Sequence, residues 1–203
     1  MKRQLIALAA AAALAPLAAQ AQSQDNGDWI VRARAVSLSS ANSDSTGLDL
    51  SINDKVIPEV DISYFLTPNW AMELILTYPQ KQDVKSGSTK IGSFKHLPPT
   101  LTAQYHFTGM GWRPYVGLGV NYTHLSDVNW DPAVQEALQP TLKKDSFGLA
   151  AQVGADFPLG GGWLLNVDVK KVQIGTEVSS FGVKAGDFKV DPWLASIGFG
   201  KRF

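Results

Sequence analysis

Residues 70–78 read Trp-Ala-Met-Glu-Leu-Ile-Leu-Thr-Tyr. Trp70, Met72, Leu74, Leu76 and Tyr78 are large and apolar, while Ala71, Glu73, Ile75 and Thr77 sit between them. A period of two marks a strand with one greasy face. The same alternation recurs seven times, at Trp29/Val31/Ala33/Ala35, Val60/Ile62/Tyr64/Leu66, Leu101/Ala103/Tyr105/Phe107 and Val116/Leu118/Val120/Tyr122. It continues at Phe147/Leu149/Ala151/Val153/Ala155/Phe157, Trp163/Leu165/Val167/Val169 and Trp193/Ala195/Ile197/Phe199. Eight strands are predicted, each of roughly 9–12 residues, the length that crosses a bilayer at a tilt.

The connections alternate as well. Short turns lie at Thr67-Pro68-Asn69, Thr108 to Arg113 and Pro158 to Gly162, and long polar stretches occupy about 39–55, 79–96, 125–144 and 175–190. An even strand number with alternating long and short connections predicts an all-β fold. It is an eight-stranded antiparallel transmembrane β-barrel with long extracellular loops, short periplasmic turns and both termini on the periplasmic side. The aromatic residues support it, because they gather at both ends of the greasy faces as an interfacial girdle does. Trp29, Tyr64, Trp70, Tyr105, Phe107, Phe157, Trp163 and Phe203 fall at periplasmic ends, and Tyr78, Tyr122, Phe147 and Trp193 at extracellular ends. The opposite face carries Gly117, Gly119, Gly148, Gly154, Gly198 and Gly200, which leave room inside a narrow barrel.

The N-terminus reads as an address. Met1-Lys2-Arg3 is a basic start, Leu5 to Ala19 an apolar run interrupted by Pro16, and Ala19-Gln20-Ala21 a cleavage signature. Residues 1–21 are therefore expected to be a signal peptide and 22–203 the barrel, placing the protein in the bacterial outer membrane. The apolar run is too short for a helix that spans a bilayer, which needs about 20 residues. The 18 Lys and Arg are balanced by 18 Asp and Glu, which argues against a nucleic-acid partner, and the chain has no cysteine. A disulfide scaffold, a thiolate zinc site and a cysteine nucleophile are thereby excluded.

Sorted by height, the inward positions divide into two groups. Arg32, Arg34, Glu59, Asp61, Glu73, Asp156, Asp168, Lys170 and Arg202 fall in the middle and periplasmic half, with Gln104, His106, Asn121, Gln152 and Asn166 among them. Side chains fill so narrow a lumen, and unpaired charge there is costly, so these residues read as a polar plug. Toward the outside the inward set becomes apolar, namely Val36, Leu38, Ile57, Ile75, Pro98, Val172 and Leu194. Such a lining suits an apolar solute that stops above the plug and leaves sideways; packing of the barrel's upper end is the alternative. Pro58, Pro98, Pro99 and Pro192, which forfeit ladder hydrogen bonds, lie near strand tops where a lateral opening would form.

Catalytic chemistry finds little support. His96 and His124 fall near strand tops, His106 faces inward, no G-x-S-x-G occurs, and Ser126 near His124 is a weak dyad. Asp127, Asp131 and Glu136 read as a solvated loop rather than a cation site, and no cofactor is expected. Asp131 followed by Pro132 predicts a short helix, either a lid over the barrel mouth or a plain loop helix.

The stretch Lys95-His96-Leu97-Pro98-Pro99-Thr100-Leu101-Thr102-Ala103-Gln104-Tyr105-His106-Phe107 resembles the fourth strand of the OmpW family of outer-membrane proteins. Arg113-Pro114-Tyr115-Val116-Gly117-Leu118-Gly119-Val120-Asn121-Tyr122 is similar to its fifth, and Asp191-Pro192-Trp193 through Gly198, Gly200, Arg202 and Phe203 to its closing strand. The resemblance covers essentially all of the chain after the leader. It implies a monomeric barrel whose hydrophobic channel is closed toward the periplasm, with a lateral exit for small hydrophobic molecules into outer-membrane lipid. It also implies an alkane-uptake branch and members that serve as colicin receptors. The polar run Ser39-Ser40-Ala41-Asn42-Ser43-Asp44 lacks the apolar stretch of a loop that guides alkanes. Phe203, with Phe199 and Ile197 on its face, resembles the signal read by the outer-membrane assembly machinery. The alternatives are a structural or surface-recognition barrel without transport, or a lipid-modifying barrel enzyme.

Overall fold

A computed structural model describes residues 28–203; the expected signal peptide, 1–21, lies outside them. The chain runs β1 (Trp29–Ser39), β2 (Ser43–Asp44), β3 (Leu50–Ile52), β4 (Lys55–Phe65), β5 (Trp70–Leu76), β6 (Gln80–Ser86), β7 (Thr89–Leu97) and β8 (Thr100–His106). It continues through β9 (Arg113–Trp130), α1 (Pro132–Leu138), β10 (Pro140–Leu142), β11 (Asp145–Gly160), β12 (Trp163–Val172), β13 (Gly175–Ser180), β14 (Val183–Lys189) and β15 (Trp193–Arg202).

Eight of these strands form the barrel. Antiparallel pairing runs β1–β4–β5–β8–β9–β11–β12–β15 and returns to β1, so the sheet closes on itself. Closure matters because an open edge in hydrocarbon would leave backbone N–H and C=O groups without partners. The last seam is tied by reciprocal backbone bonds between Trp29 and Phe203, 2.9 and 3.3 Å long. The greasy faces point outward, with Leu118 72% and Phe147 81% exposed, while Arg32, Asp61 and Glu73 inside are fully buried. This inversion of a soluble protein is what lipid as solvent demands. Aromatic pairs mark the rims: Trp29–Tyr64 at 4.7 Å and Trp70–Tyr105 at 5.1 Å below, Tyr122–Phe147 at 4.8 Å above.

The inward glycines are matched to large neighbours. Gly198 and Gly200 on β15 stand opposite Arg34 and Arg32 on β1, and a Cβ at Gly200 would come 2.7 Å from Arg32 Cγ. Gly117 leaves space for Gln152 and Gln104, and Gly154 for the Tyr115 ring. At Gly119, Gly148 and Gly198 a Cβ would also strike backbone, at the carbonyl oxygens of Leu101, Gln173 and Ala33. The β11–β12 turn passes through Gly160, Gly161 and Gly162, all with φ between +60° and +93°, a region that excludes most side chains.

Of the four stretches expected to be polar loops, 79–96 and 175–190 are largely β-structure, and 39–55 and 125–144 contribute only the short strands β2, β3 and β10 and the top of β9, which refines the reading from sequence. β6 and β7 form a hairpin that pairs with the upper half of β9, and β3 adds to its free edge. A second sheet, β10–β13–β14–β2, stands beside it. Together they bury Leu50, Ile52, Val84, Phe94, Leu125, Val178 and Phe188 in a core above the membrane. The alternation is hidden in sequence because the outward face meets water, not lipid, so it carries Lys, Ser and Asp. Helix α1 forms as expected, with Asp131 accepting from the Ala133 N–H at 3.0 Å and Pro132 opening the first turn. None of its residues is buried, so it is a surface helix and not a lid.

Gly154→Val should lower unfolding stability by about 1–3 kcal/mol through overpacking against Tyr115, whereas Gly111→Ala, with open space around it, should change it by less than about 0.5 kcal/mol. Urea titration in lipid vesicles followed by tryptophan fluorescence checks both.

Candidate functional site

The lumen is organised in layers. In its middle, β1 and β4 place Arg32 opposite Asp61 and Arg34 opposite Glu59. Arg32 donates through Nε and Nη2 to the two oxygens of Asp156, at 3.0 and 2.6 Å, and through Nη1 to Asp61 Oδ1 at 2.9 Å and Ser63 Oγ at 2.7 Å. Arg34 Nε donates to Glu59 at 2.9 Å, and its Nη2 lies 2.9 Å from Asp61 Oδ2, an ion pair by distance without hydrogen-bond alignment. Lys170 bridges Glu59 at 2.8 Å and Asp168 at 3.0 Å. Gln152 donates to Glu73 at 2.8 Å, and the Tyr115 hydroxyl to Asp168 at 2.9 Å.

Three cations and five carboxylates thus share one buried network, with neutral donors supplying what the cations do not. Beneath it lies an aromatic and aliphatic floor. The His106 ring sits 4.8 Å from both Phe65 and Tyr115 and bonds Gln104 at 2.9 Å, and Ile30, Ala71 and Leu164 pack alongside Phe65. Arg202, expected in the plug, stands lower, at the periplasmic end. Its guanidinium is 4.5 Å from the centre of the Phe65 ring, and that of Arg113 is 5.1 Å from it.

Above the network the lumen turns apolar. A narrow cavity is floored by Glu59 and Lys170 and walled by Leu38, Ile57, Ile75, Pro98, Val172 and Leu194. Six of the seven residues expected to line the upper lumen are therefore brought together. The seventh, Val36, is fully buried in the packing with Leu38 and Ile57. A second, smaller cavity lies against the core above the membrane. It shares Leu38, His96, Ile174 and Pro192 with the first, so the two adjoin.

The wall beside this cavity is interrupted. The β4–β5 ladder ends at Val60 opposite Leu76, and the β5–β8 ladder at Ile75 opposite Thr100. Pairing resumes only at Gln80 opposite His96 and at Ile52 opposite Val84. Thr77-Tyr78-Pro79 has no ladder partner on either side, and Pro98 and Pro99 have no N–H to offer it. Side chains bridge the gap instead: Lys55 Nζ donates to the Lys81 carbonyl at 2.6 Å, and Asn53 Oδ1 accepts from the Asp83 N–H at 2.9 Å. Pro58, Pro98 and Pro99 border this break. Pro192 does not, because Trp193 pairs with both Ser39 and Lys171 and the Val172 N–H reaches the Pro192 carbonyl. The interruption itself has no sequence signature beyond the prolines, since it depends on which residues fail to meet.

The other candidate residues do not converge. His124 Nδ1 lies 2.8 Å from Asp145, which also accepts from the Tyr122 hydroxyl at 2.6 Å, so the partner of His124 is Asp145 rather than Ser126. The His124 ring and the Tyr122 hydroxyl hold the exposed Asp145 carboxyl below the usual carboxylate range. Asp127 pairs with Lys95 at 3.0 Å, and Asp131 caps α1. Among the described residues no group of three His, Asp or Glu side chains is placed to hold a metal ion.

A closed eight-stranded antiparallel barrel, greasy outside between two aromatic rings and charged within, defines a bacterial outer-membrane protein. The sequence profile of the OmpW family matches residues 25–203, and the chain belongs to that family. Outer membrane protein W of Vibrio cholerae is 32% identical over 197 residues, covering 89% of this chain and 91% of its own length. The crystal structure of OprG from Pseudomonas aeruginosa superposes with a TM-score of 0.76 at 31% identity, covering 90% of this chain and 98% of that one. The dibenzothiophene metabolism operon protein PahQ of Pseudomonas aeruginosa is 28% identical over 152 residues, covering 70% of this chain and 69% of its own.

Arg32→Met should destabilise the barrel by about 3–5 kcal/mol, because Asp156 stays buried without its counter-ion and Asp61 keeps only Arg34; adding Asp156→Leu should recover part of the loss in the same unfolding titration. His96 lies above the extracellular aromatic ring, and burial, with Lys55 adding to it, lowers its pKa to about 4. The unfolded chain binds that proton near pH 6.5. Stability from neutral His96 is thus complete above about pH 6.5 and is lost as pH falls toward 4, by up to about 3 kcal/mol. Protease sensitivity of the β6–β7 hairpin should rise over that range, and His96→Gln should flatten the profile.

Proposed function

We propose that the protein admits small apolar molecules from outside and releases them sideways into the outer membrane. The observation that carries this reading is the apolar cavity inside the barrel, floored by the Glu59–Lys170 pair and flanked by the unpaired Thr77–Pro79 segment. Water and ions gain nothing from such a lining, whereas an apolar solute is stabilised by leaving water. Onward movement to the periplasm would require breaking buried, multiply bonded ion pairs, each costing several kcal/mol. The wall beside the cavity, with no ladder bonds to break at Thr77–Pro79, is the easier way out. The aromatic sulfur heterocycle in the name of the relative PahQ is a solute of this class. Val36, Leu38, Ile57, Ile75, Pro98, Val172 and Leu194 form the lining and packing of the route, and the charged network its closed floor. In this reading Phe203 serves assembly into the membrane and takes no part in transport.

A second reading rests on the β13–β14 tip. Phe181 and Val183 are 60% and 70% exposed on an otherwise polar extracellular face, which suits recognition of a surface partner.

Influx of labelled naphthalene into cells with an intact outer membrane, with sucrose as the hydrophilic control, separates the two. Cells carrying the protein should take up naphthalene several-fold faster and sucrose at an unchanged rate. Leu38→Asp or Leu194→Asp should remove most of that gain while gel mobility still reports a folded barrel. Equal rates for both solutes, with and without the folded protein, would overturn the transport reading.

A further inference from the structure

The two sides of the apolar passage are chemically different. Leu38, Ile57, Val172 and Leu194, from β1, β4, β12 and β15, make a purely aliphatic wall. The facing side, at the break between β5 and β8, carries hydrogen-bonding groups, and these divide into spent and free. Asn121 is spent: its Nδ2 donates to the Pro98 and Pro99 carbonyls at 3.2 Å each and to Thr100 Oγ1 at 2.8 Å, and its Oδ1 accepts from Thr123 at 2.7 Å. Thr77 Oγ1, which lines the cavity, is buried without any partner. His96, 4% exposed, lines both cavities and makes no hydrogen bond among the described residues. Gln82 is fully buried opposite Phe94, itself a lining residue, and neither its amide oxygen nor its amide nitrogen is bonded.

Buried polar groups are nearly always bonded, and those that are not call for a reason. Thr77 and His96 both line the cavity without a hydrogen bond, facing aliphatic side chains, and Gln82 is unbonded beside Phe94; polar groups so placed are poorly suited to a cargo of pure hydrocarbon, for which Val or Leu would serve better. All three are neutral at ordinary pH, His96 because burial disfavours its charged form, so they do not select for charge. Resting on the transport reading above, we infer that the passage selects neutral amphiphiles: a small ring or chain bearing one hydroxyl or carbonyl oxygen. That oxygen bonds to Thr77 or His96 while the apolar body lies on Leu38, Ile57 and Leu194. A site built to bond an oxygen discriminates against the analogue that lacks it, because its own polar atoms are then left unpaired. Thr77 lies in the unpaired segment, so the oxygen would be held where the wall is weakest.

The test is influx of the matched pair 2-naphthol and naphthalene, each corrected for its rate in cells without the protein. The wild-type protein should favour 2-naphthol, and Thr77→Val should reduce the 2-naphthol to naphthalene ratio about two- to tenfold, the worth of one neutral hydrogen bond. Thr77→Ser, which keeps the hydroxyl, should restore it. A ratio unchanged in folded variants would overturn the inference, meaning that these atoms bond water only. Absence of protein-dependent influx of either compound would instead sink the transport reading itself. A measurement independent of flux is the His96 ring NMR signal of the protein in nanodiscs. It should shift on titration with 2-naphthol and not with naphthalene, and equal responses to both would also overturn the inference.

Discussion

Hydrocarbon offers no hydrogen bonds, and the whole molecule answers to that fact. Backbone groups in the membrane must be bonded within the sheet, so the strands close through the β1–β15 and β9–β11 seams. Closure by eight strands leaves a lumen no wider than its own side chains. Once the greasy positions face lipid, every alternate residue is forced into that narrow space. Charges that arrive there must find each other.

The pairing of Arg32 and Arg34 with Asp61, Glu59 and Asp156 is therefore as much a consequence of closure as a cause of stability. Large arginines fit because glycines stand across from them on β15. A surplus of carboxylates over cations is tolerated because Gln152, Tyr115 and Ser63 complete the hydrogen bonding. The same compactness that makes the network rigid makes it a poor path for solutes. Only above it do the inward side chains turn aliphatic.

Above the membrane the constraint relaxes, because water can satisfy a backbone group. There the sheet splits into the β6–β7 hairpin and the second sheet, with a hydrophobic core of their own. Thr77–Pro79 lies at the transition between the two regimes. Below it both flanking ladders hold, and above it β6 pairs anew with β7 and β3. A wall that is continuous in lipid and broken at its upper edge, beside an apolar cavity, is where the two halves of the design meet.

The order of the eight strands, the face each presents to lipid, and the list of inward charges were legible in the chain alone, because alternation is a local property of a pleated backbone and lipid enforces it without exception. The seven apolar inward positions followed from the same parity, and six of them meet around one cavity. The β-structure of the extracellular stretches was not legible, because water tolerates Lys, Ser and Asp on the outer face and so erases the contrast. Nor was the choice of Asp156 by Arg32, the placement of Arg202 below the network, the wall break at Thr77–Pro79, or the unbonded state of Gln82 and Thr77. Each depends on the register between strands far apart in the chain, which alternation leaves open and only the closed tertiary structure decides.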